Sequence, residues 1–291
     1  MTAPVSLIIP SARPEDATHG VGLPEKLYMD SLTLHSAVFI VAYAVGLNIE
    51  VDYVTDNRTE TGEDYSKISP EGTLPLMLLK SGEKLSTAGM QFLVLCDMVP
   101  GCGLHYPHGT FERVKLLELL LWLDDLQLMV DFLCDPDVSS NAVLRSFFVE
   151  KLGERLVYFD HHILARDKQF IQAHLTVADI YFYTIYKATY PLNLPGSVTE
   201  NCLLIQGYMK RLHLLPKIVG AERLLAQLAK ERGLGAPSPR GSLPGGAANP
   251  RSSLGAASSP RASISGAAPA GQRTSVTKRR ASTTQENLVF E

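Results

Sequence analysis

The hydrophobic pattern divides the chain into two parts with different secondary structure. Between residues 26 and 98, apolar residues recur with a period of two in some stretches and 3.6 in others. This pattern predicts the order β-α-β, a connecting segment, and then β-β-α. From residue 110 to 232 only the helical period is present. We therefore expect an α/β domain over residues 25–98, a linker rich in Pro and Gly over 99–110, and an all-helical domain over 111–232.

Two stretches of the helical part have distinct apolar patterns. Residues 111–133 are apolar almost all round, which is typical of a helix buried between neighbours or across a dimer interface. A homodimer is therefore one expectation. Residues 141–165 keep the i, i+3, i+4 spacing through Val143, Phe147 and Leu152, which predicts one long helix.

The two ends of the chain differ from this body. Residues 1–24 show no periodicity, and we interpret them as an N-terminal extension. Residues 233–291 contain eight residues of the Leu/Ile/Val/Phe set and no Tyr or Trp, too few to form a core, so we expect a disordered, low-complexity tail. Seven basic residues against two acidic ones give this tail a net charge of +5, which leaves −8 for the rest of a chain whose total is −3.

Composition argues against several protein classes. No apolar run approaches the roughly 20 residues of a membrane-spanning helix, and the N-terminus lacks the basic segment and apolar core of a signal peptide. We expect a cytoplasmic protein without a membrane span. The four cysteines lie far apart without a C-x-x-C pair, which indicates reduced thiols. Zinc binding would need distant Cys and His residues to converge, and we expect no metal site.

Three features of the chain occur together. The first is Leu74-Pro75 at a predicted strand entry. The second is Thr176 followed three residues later by Asp179, the spacing of a helix capping box. The third is the layout, an α/β domain joined by a linker to helices. Together they resemble the glutathione transferase superfamily, most closely its bacterial beta class.

The resemblance implies a thioredoxin-like N-terminal domain and an all-α C-terminal domain. In such folds the proline at this strand entry is cis, and the preceding residue offers its backbone to the cysteine of glutathione. The resemblance therefore implies that glutathione is bound at Leu74, Pro75, Thr87 and Ala88.

The resemblance also implies what the site requires. A transferase holds the glutathione thiolate at the N-terminus of its first helix beside a Ser, Tyr or Cys donor. It binds the γ-glutamyl end with an acid-hydroxyl pair. Here Leu34 stands where the beta class has its cysteine, and Thr87-Ala88 replaces the acid-hydroxyl pair. Leu128 lies near the position of the histidine that faces the second substrate. The sequence therefore predicts an eroded glutathione site.

Two hydroxyl side chains remain as candidate thiolate donors. Ser31 and Thr33 lie just before the first predicted helix, and serine is the donor in other classes of the superfamily. The alternative is that these residues are ordinary loop and N-cap residues, because Ser and Thr are favoured at helix starts in any case.

The tail contains a separate pattern. Five serines follow an Arg by two residues and are candidate phosphorylation sites: Ser242, Ser253, Ser263, Ser275 and Ser282. The last, in Arg279-Arg280-Ala281-Ser282, matches the preference of kinases of the cyclic-AMP-dependent type. Unmodified, the tail would attract an acidic protein or another polyanion. Each phosphate adds about −1.5 to −2 charges, so modification of most sites would invert the sign. Chance recurrence of Arg-x-Ser in an Arg/Ser-biased tail is the alternative.

Two hypotheses of function follow from these observations. The first is a binding or structural protein that keeps the transferase fold, has lost efficient conjugation, and is tethered by its tail. The second is an active glutathione transferase that conjugates glutathione to small electrophiles with Ser31 or Thr33 as the donor. The departures at Leu34 and Thr87-Ala88 favour the first, because function depends on the site rather than on the fold.

Overall fold

The N-terminal part of the molecule is built on a small mixed sheet. The computed structural model describes residues 22–30, 33–164, 168–196 and 202–234. Its four strands, in the order β2-β1-β3-β4, are β1 (Pro24–Met29), β2 (Glu50–Tyr53), β3 (Leu76–Leu79) and β4 (Lys84–Leu85). β1 pairs in parallel with β2 and antiparallel with β3, and β3 pairs antiparallel with β4. This is the predicted thioredoxin-like arrangement.

Two helices complete this α/β domain. A 3-10 turn (Thr33–Ser36) leads into α1 (Ala37–Val45), and α2 (Ala88–Asp97) follows β4. Every side chain of α1 except Tyr43 is buried, which agrees with a sequence that is apolar on all sides. Gly46 ends the helix with a φ of 83°, a left-handed conformation that glycine adopts without a steric penalty.

The C-terminal part is helical throughout its described residues. Its helices are α3 (Phe111–Cys134), α4 (Pro136–Ser140), α5 (Ala142–Tyr158), α6 (Val177–Ala188), α7 (Leu203–His213) and α8 (Pro216–Glu231). α5 continues as a π-helical turn over Phe159–Ile163, where the sequence predicted one regular helix. None of the helices described is both long and apolar enough to cross a membrane.

The apolar spacing in α5 predicts burial correctly for only some of its residues. Leu152 is buried, as its spacing predicts, but Val143 and Phe147 are 78% and 52% exposed. The first turns of α5 therefore extend an apolar surface instead of filling the core. The short helix α4 was not predicted; Asp135 caps its start by accepting the Asp137 backbone N–H at 2.7 Å.

Helix α6 lies at the centre of the molecule. All of its side chains are buried except Lys187. It packs against α3 and α7 within the helical part, and against α1 and the preceding 3-10 turn of the α/β domain. The two domains therefore share one hydrophobic core, which contains residues from both.

The end of the last helix forms a second junction between the domains. Helix α8 packs on α1, and Arg232 follows its last turn. The Arg232 guanidinium donates to the Val51 carbonyl and pairs with Glu60, both at 2.6 Å. It also lies over the Tyr53 ring, 5.6 Å from its centroid. The C-terminal helix is thus attached to strand β2 by polar as well as apolar contacts.

The predicted capping box is present at the start of α6. The Asp179 carboxylate accepts the Thr176 backbone N–H at 2.7 Å and the Thr176 hydroxyl at 2.9 Å. It also accepts the Ile171 N–H at 2.9 Å and the Tyr208 hydroxyl. Because the Thr176 hydroxyl donates to this carboxylate, Asp179 provides most of the cap and also links the preceding loop to α7.

This geometry ranks two substitutions. We expect Thr176→Ala to lower the free energy of unfolding by about 0.5–2 kcal/mol through the weakened cap. We expect Asp179→Ala to lower it by at least about 3 kcal/mol, because each buried donor left without an acceptor costs about 1–3 kcal/mol. Urea unfolding followed by circular dichroism measures both. Glu154→Ala, which removes an exposed carboxylate from α5, is the control and should change little. Equal losses for the two cap variants would contradict the role given to Asp179.

Candidate functional site

The loop before β3 is held by side chains from two other elements. The Leu74–Pro75 peptide bond is cis, and Pro75 immediately precedes the strand. The Tyr65 hydroxyl donates to the Thr73 carbonyl at 2.7 Å, and the Gln91 side-chain amide donates to the Pro75 carbonyl at 2.8 Å. These two hydrogen bonds hold the backbone on either side of Leu74, the residue that the resemblance assigns to glutathione.

Gln91 is a site-supporting residue that the sequence analysis missed. It lies on α2, is fully buried, and also donates to the Leu85 carbonyl at 2.6 Å. One amide group therefore joins the Pro75 loop to β4. The available signal was a glutamine in the interior of a helix whose other polar residue, Asp97, is its last, since a buried amide needs hydrogen-bond partners.

A buried ion-pair cluster lies where α1 begins. Leu34 is 2% exposed and belongs to the hydrophobic core. His35 is also buried; its Nδ1 lies 2.6 Å from an Asp30 carboxylate oxygen, and its Nε2 lies 3.9 Å from one of Asp131 on α3. Burial alone would lower the pKa of His35. The charges of Asp30 and Asp131 and the hydrogen bond to Asp30 outweigh burial and raise that pKa above its usual value.

The candidate donors are only partly described. Ser31 lies outside the described residues, and for Thr33 only the backbone is described, in the 3-10 turn that precedes α1. This turn places Thr33 beside Leu34, at the helix start that the resemblance assigns to the thiolate.

The start of α2 is the position assigned to the γ-glutamyl group. Thr87 is the N-cap residue, is exposed, and makes no side-chain cap bond, while Ala88 is buried. The Asp124 carboxylate of α3 lies close to Gly89, where an added Cβ would be 3.4 Å from one of its oxygens, and it accepts the Tyr181 hydroxyl at 2.7 Å. Burial raises the pKa of Asp124 against its hydrogen bond with Tyr181. A carboxylate of the protein therefore already lies beside this helix start.

Helix α3 contributes the third wall. Leu128 is 44% exposed and lies four residues after Asp124 and three before Asp131, so the three residues share one side of the helix. Asp124 and Asp131 approach Gly89 and His35 of the α/β domain, while part of the Leu128 side chain between them is exposed to solvent. The position that resembles the beta-class histidine has no proton-transferring group.

A large cavity lies elsewhere in the helical domain. It has a volume of about 710 Å³ and is lined by α6, α7 and the segment after α6, including Tyr183, Tyr190 and Lys210. None of the residues assigned above to glutathione lines it. The five tail serines, Ser242, Ser253, Ser263, Ser275 and Ser282, lie outside the described residues.

Comparison with known proteins finds similarity to glutathione transferases. No protein-family model matches the chain. The glutathione S-transferase GstA of Escherichia coli O157:H7 is 26% identical over 166 residues, which cover 56% of this chain and 79% of that protein. A glutathione transferase structure from Methylococcus capsulatus has a TM-score of 0.63 at 25% identity, covering 72% of this chain and 98% of its own.

A solved beta-class enzyme has the same fold. The glutathione S-transferase of Sphingomonas chungbukensis is 24% identical with a TM-score of 0.61, and the match covers 72% of this chain and 99% of that one. The matched share of this chain corresponds to a complete two-domain transferase. With the cis-proline loop and the capping box in their expected places, these likenesses show that the chain belongs to the glutathione transferase superfamily.

Proposed function

We propose that this protein is a binding or structural member of its superfamily that conjugates glutathione poorly, and that its basic tail tethers it to an acidic partner. One observation supports this most directly. Leu34, at the position of the beta-class cysteine, is 2% exposed and packs in the core. Its side chain has no hydrogen-bond donor to offer a thiolate.

The charges around the α1 start support the same proposal. A thiolate is stabilised by nearby cations or hydrogen-bond donors. The histidine present here, His35, already pairs with Asp30 and lies within 3.9 Å of Asp131. Two carboxylates around one imidazole give the cluster a net negative charge with the imidazole either neutral or protonated, and this raises the free energy of another anion placed beside it.

The start of α2 also favours weak glutathione binding. The γ-glutamyl group is normally held by helix N–H groups and by an acid-hydroxyl pair. Here the Asp124 carboxylate lies beside the helix start, and Ala88 has no hydrogen-bonding side chain. Thr87 retains a hydroxyl, so recognition is reduced but not abolished.

The alternative is an active transferase that conjugates glutathione to small electrophiles, with Ser31 or Thr33 as the thiolate donor. The cis Leu74–Pro75 bond and the intact two-domain fold favour it. A similar sphingomonad transferase, with 22% identity and a TM-score of 0.61, was solved in complex with glutathione. A cytoplasmic location suits either function, since the four cysteines are reduced.

A glutathione titration paired with a conjugation assay on the full chain separates the two functions. We expect weak binding and turnover near the uncatalysed rate. An active enzyme would instead lose about tenfold to a hundredfold of its turnover in Ser31→Ala or Thr33→Ala, because a hydrogen bond to a charged group contributes about 1.5–3 kcal/mol. Ser66→Ala, which changes an exposed serine elsewhere in the α/β domain, is the matched control. Robust turnover that one site variant abolishes would refute the binding-protein proposal.

An exposed apolar face on α3 supports the proposed homodimer. Val114, Leu121 and Leu128 recur every seven residues and are 57%, 62% and 44% exposed. Phe147 of α5 extends this face through the ring cluster that Phe148 makes with α3. Burying this apolar face against another surface would lower the free energy of the protein, and a monomer that leaves the face in water does not gain that stabilisation. We propose that a second copy of the chain covers this face.

Leu121→Glu tests the homodimer. A buried, unpaired carboxylate in an apolar interface is costly, so we expect this variant to be monomeric at concentrations where the unaltered chain is dimeric. Light scattering after size-exclusion chromatography measures the mass. Leu203→Glu, which makes the same change at an exposed position on α7, should leave the dimer intact. A monomeric unaltered chain, or equal behaviour of both variants, would contradict the proposed interface.

The tail tether is a matter of charge. The tail has a net charge of +5 and the rest of the chain −8, so the attraction to an acidic partner comes from the tail. The affinity should fall as the salt concentration rises, since exposed charges are screened within about 10 Å at 0.1 M. Three repeats of the form Pro-Arg-x-Ser-Leu/Ile begin at residues 239, 250 and 260. Repeats on one chain raise the effective concentration of the later contacts once the first has formed, so several weak contacts together give a higher affinity than one.

Substitution of Ser242, Ser253, Ser263, Ser275 and Ser282 by Glu lowers the formal tail charge from +5 to 0. With the full chain on immobilised heparin as a model polyanion, we expect this variant to elute at much lower salt than the unaltered chain. The five-Ala variant removes the same hydroxyls but keeps the charge, and it should elute like the unaltered chain. If all three chains elute together, the tail does not act as an electrostatic tether.

A further inference from the structure

Two cysteines and a histidine converge where the α/β domain ends. Cys96 lies in the last turn of α2, and Cys102 and His105 lie in the linker that follows. Their three ligand atoms all lie within 4.8 Å of one another. Cys96 is fully buried, the Cys102 side chain is half-buried, and the His105 side chain is 13% exposed. The cluster is therefore enclosed yet reachable from solvent through the linker.

The distance between two of these atoms is that of ligands sharing one ion. Cys102 Sγ lies 3.5 Å from His105 Nδ1. In a tetrahedral zinc site with Zn–S near 2.3 Å and Zn–N near 2.0–2.1 Å, the sulfur and nitrogen are about 3.5 Å apart. A weak hydrogen bond between a thiol and an imidazole has a similar length, so the third ligand and the surroundings decide between the two.

The other ring nitrogen of His105 is held as it is in many metal sites. His105 Nε2 lies 2.9 Å from an Asp97 carboxylate oxygen, which makes Nε2 the protonated nitrogen and leaves the Nδ1 lone pair directed at the sulfur. Metal-bound histidines usually donate their second N–H to a carboxylate in this way. Arg113 fixes that carboxylate with two hydrogen bonds, of 3.0 and 2.7 Å.

The backbone around Cys102 is shaped for this approach. Gly101 and Gly103 have φ values of 75° and 72°, in the left-handed region that favours glycine. These two turns bend the linker back on α2, so the Cys102 sulfur also lies 3.7 Å from the Cys96 carbonyl. Arg113 donates to the Tyr106 carbonyl at 3.0 Å and holds the far end of the same bend.

We infer that Cys96, Cys102 and His105 form a zinc site, with Asp97 positioning the imidazole and an exchangeable water as the fourth ligand. Two thiolates and an imidazole are ligands that Zn²⁺ favours. Binding displaces one proton from each thiol, so two protons leave and the two thiolates neutralise the ion. The site joins the end of α2 to the linker and restrains the connection between the domains.

The test is a metal titration of the full chain, kept reduced with a phosphine and freed of metal with a chelator. Co²⁺ is the probe, because thiolate ligands give it charge-transfer absorption that oxygen and nitrogen ligands do not; Zn²⁺ then competes for the same position. We expect one ion per chain and loss of the charge-transfer band in Cys102→Ser and His105→Gln. Asp97→Asn should weaken binding by about tenfold to a hundredfold.

Two controls make the result decisive. Cys134→Ser removes a thiol outside the cluster and should bind like the unaltered chain. Cys102 and His105 are linker residues, so their variants should show the circular dichroism of the unaltered chain, and zinc should raise the melting temperature of the unaltered chain but not theirs. The inference is overturned if the chain binds no metal after reduction. This holds also for a chain that was isolated with a Cys96–Cys102 disulfide and then reduced. It is also overturned if both linker variants retain the charge-transfer band.

Discussion

The buried carboxylate of Asp179 is the contact on which the helical domain depends. It accepts hydrogen bonds from Thr176, Ile171 and Tyr208, so it joins the start of α6 to the preceding loop and to α7. A carboxylate without these donors would be too costly to bury. Since α6 packs against α1 as well as α3, its position also sets where the α/β domain sits.

The residues around the two helix starts support the proposed function in a consistent way. Leu34 fills the core, His35 pairs with Asp30 and lies near Asp131, and Asp124 lies close to the start of α2. In the proposed function these residues remove a thiolate donor and place negative charge where a transferase would stabilise an anion. The scaffold features, such as the cis Leu74–Pro75 loop and the buried Gln91 that holds it, are present.

The features that local patterns encode were predictable, and those that need distant residues to meet were not. The order of strands and helices along the chain, the Leu74-Pro75 strand entry and the Thr176–Asp179 cap depend on periodicity and short spacings. The contact of His35 with Asp131 joins residues on different elements, as does that of Asp179 with Tyr208. Exposure at Val143 and Phe147 also escaped the sequence analysis, because helical spacing identifies an apolar face but not what covers it. The cluster of Cys96, Cys102 and His105 has no short zinc-binding spacing, and only the bend at Gly101 and Gly103 brings its atoms together.

The attachment of Arg232 determines how the molecule responds to mechanical load. This guanidinium lies two residues before the end of the described chain and is bonded to the Val51 carbonyl and to Glu60. A pull applied at this point reaches strand β2 through the Arg232 side chain and α8 through the backbone. The tension is therefore shared between the sheet and the helical core.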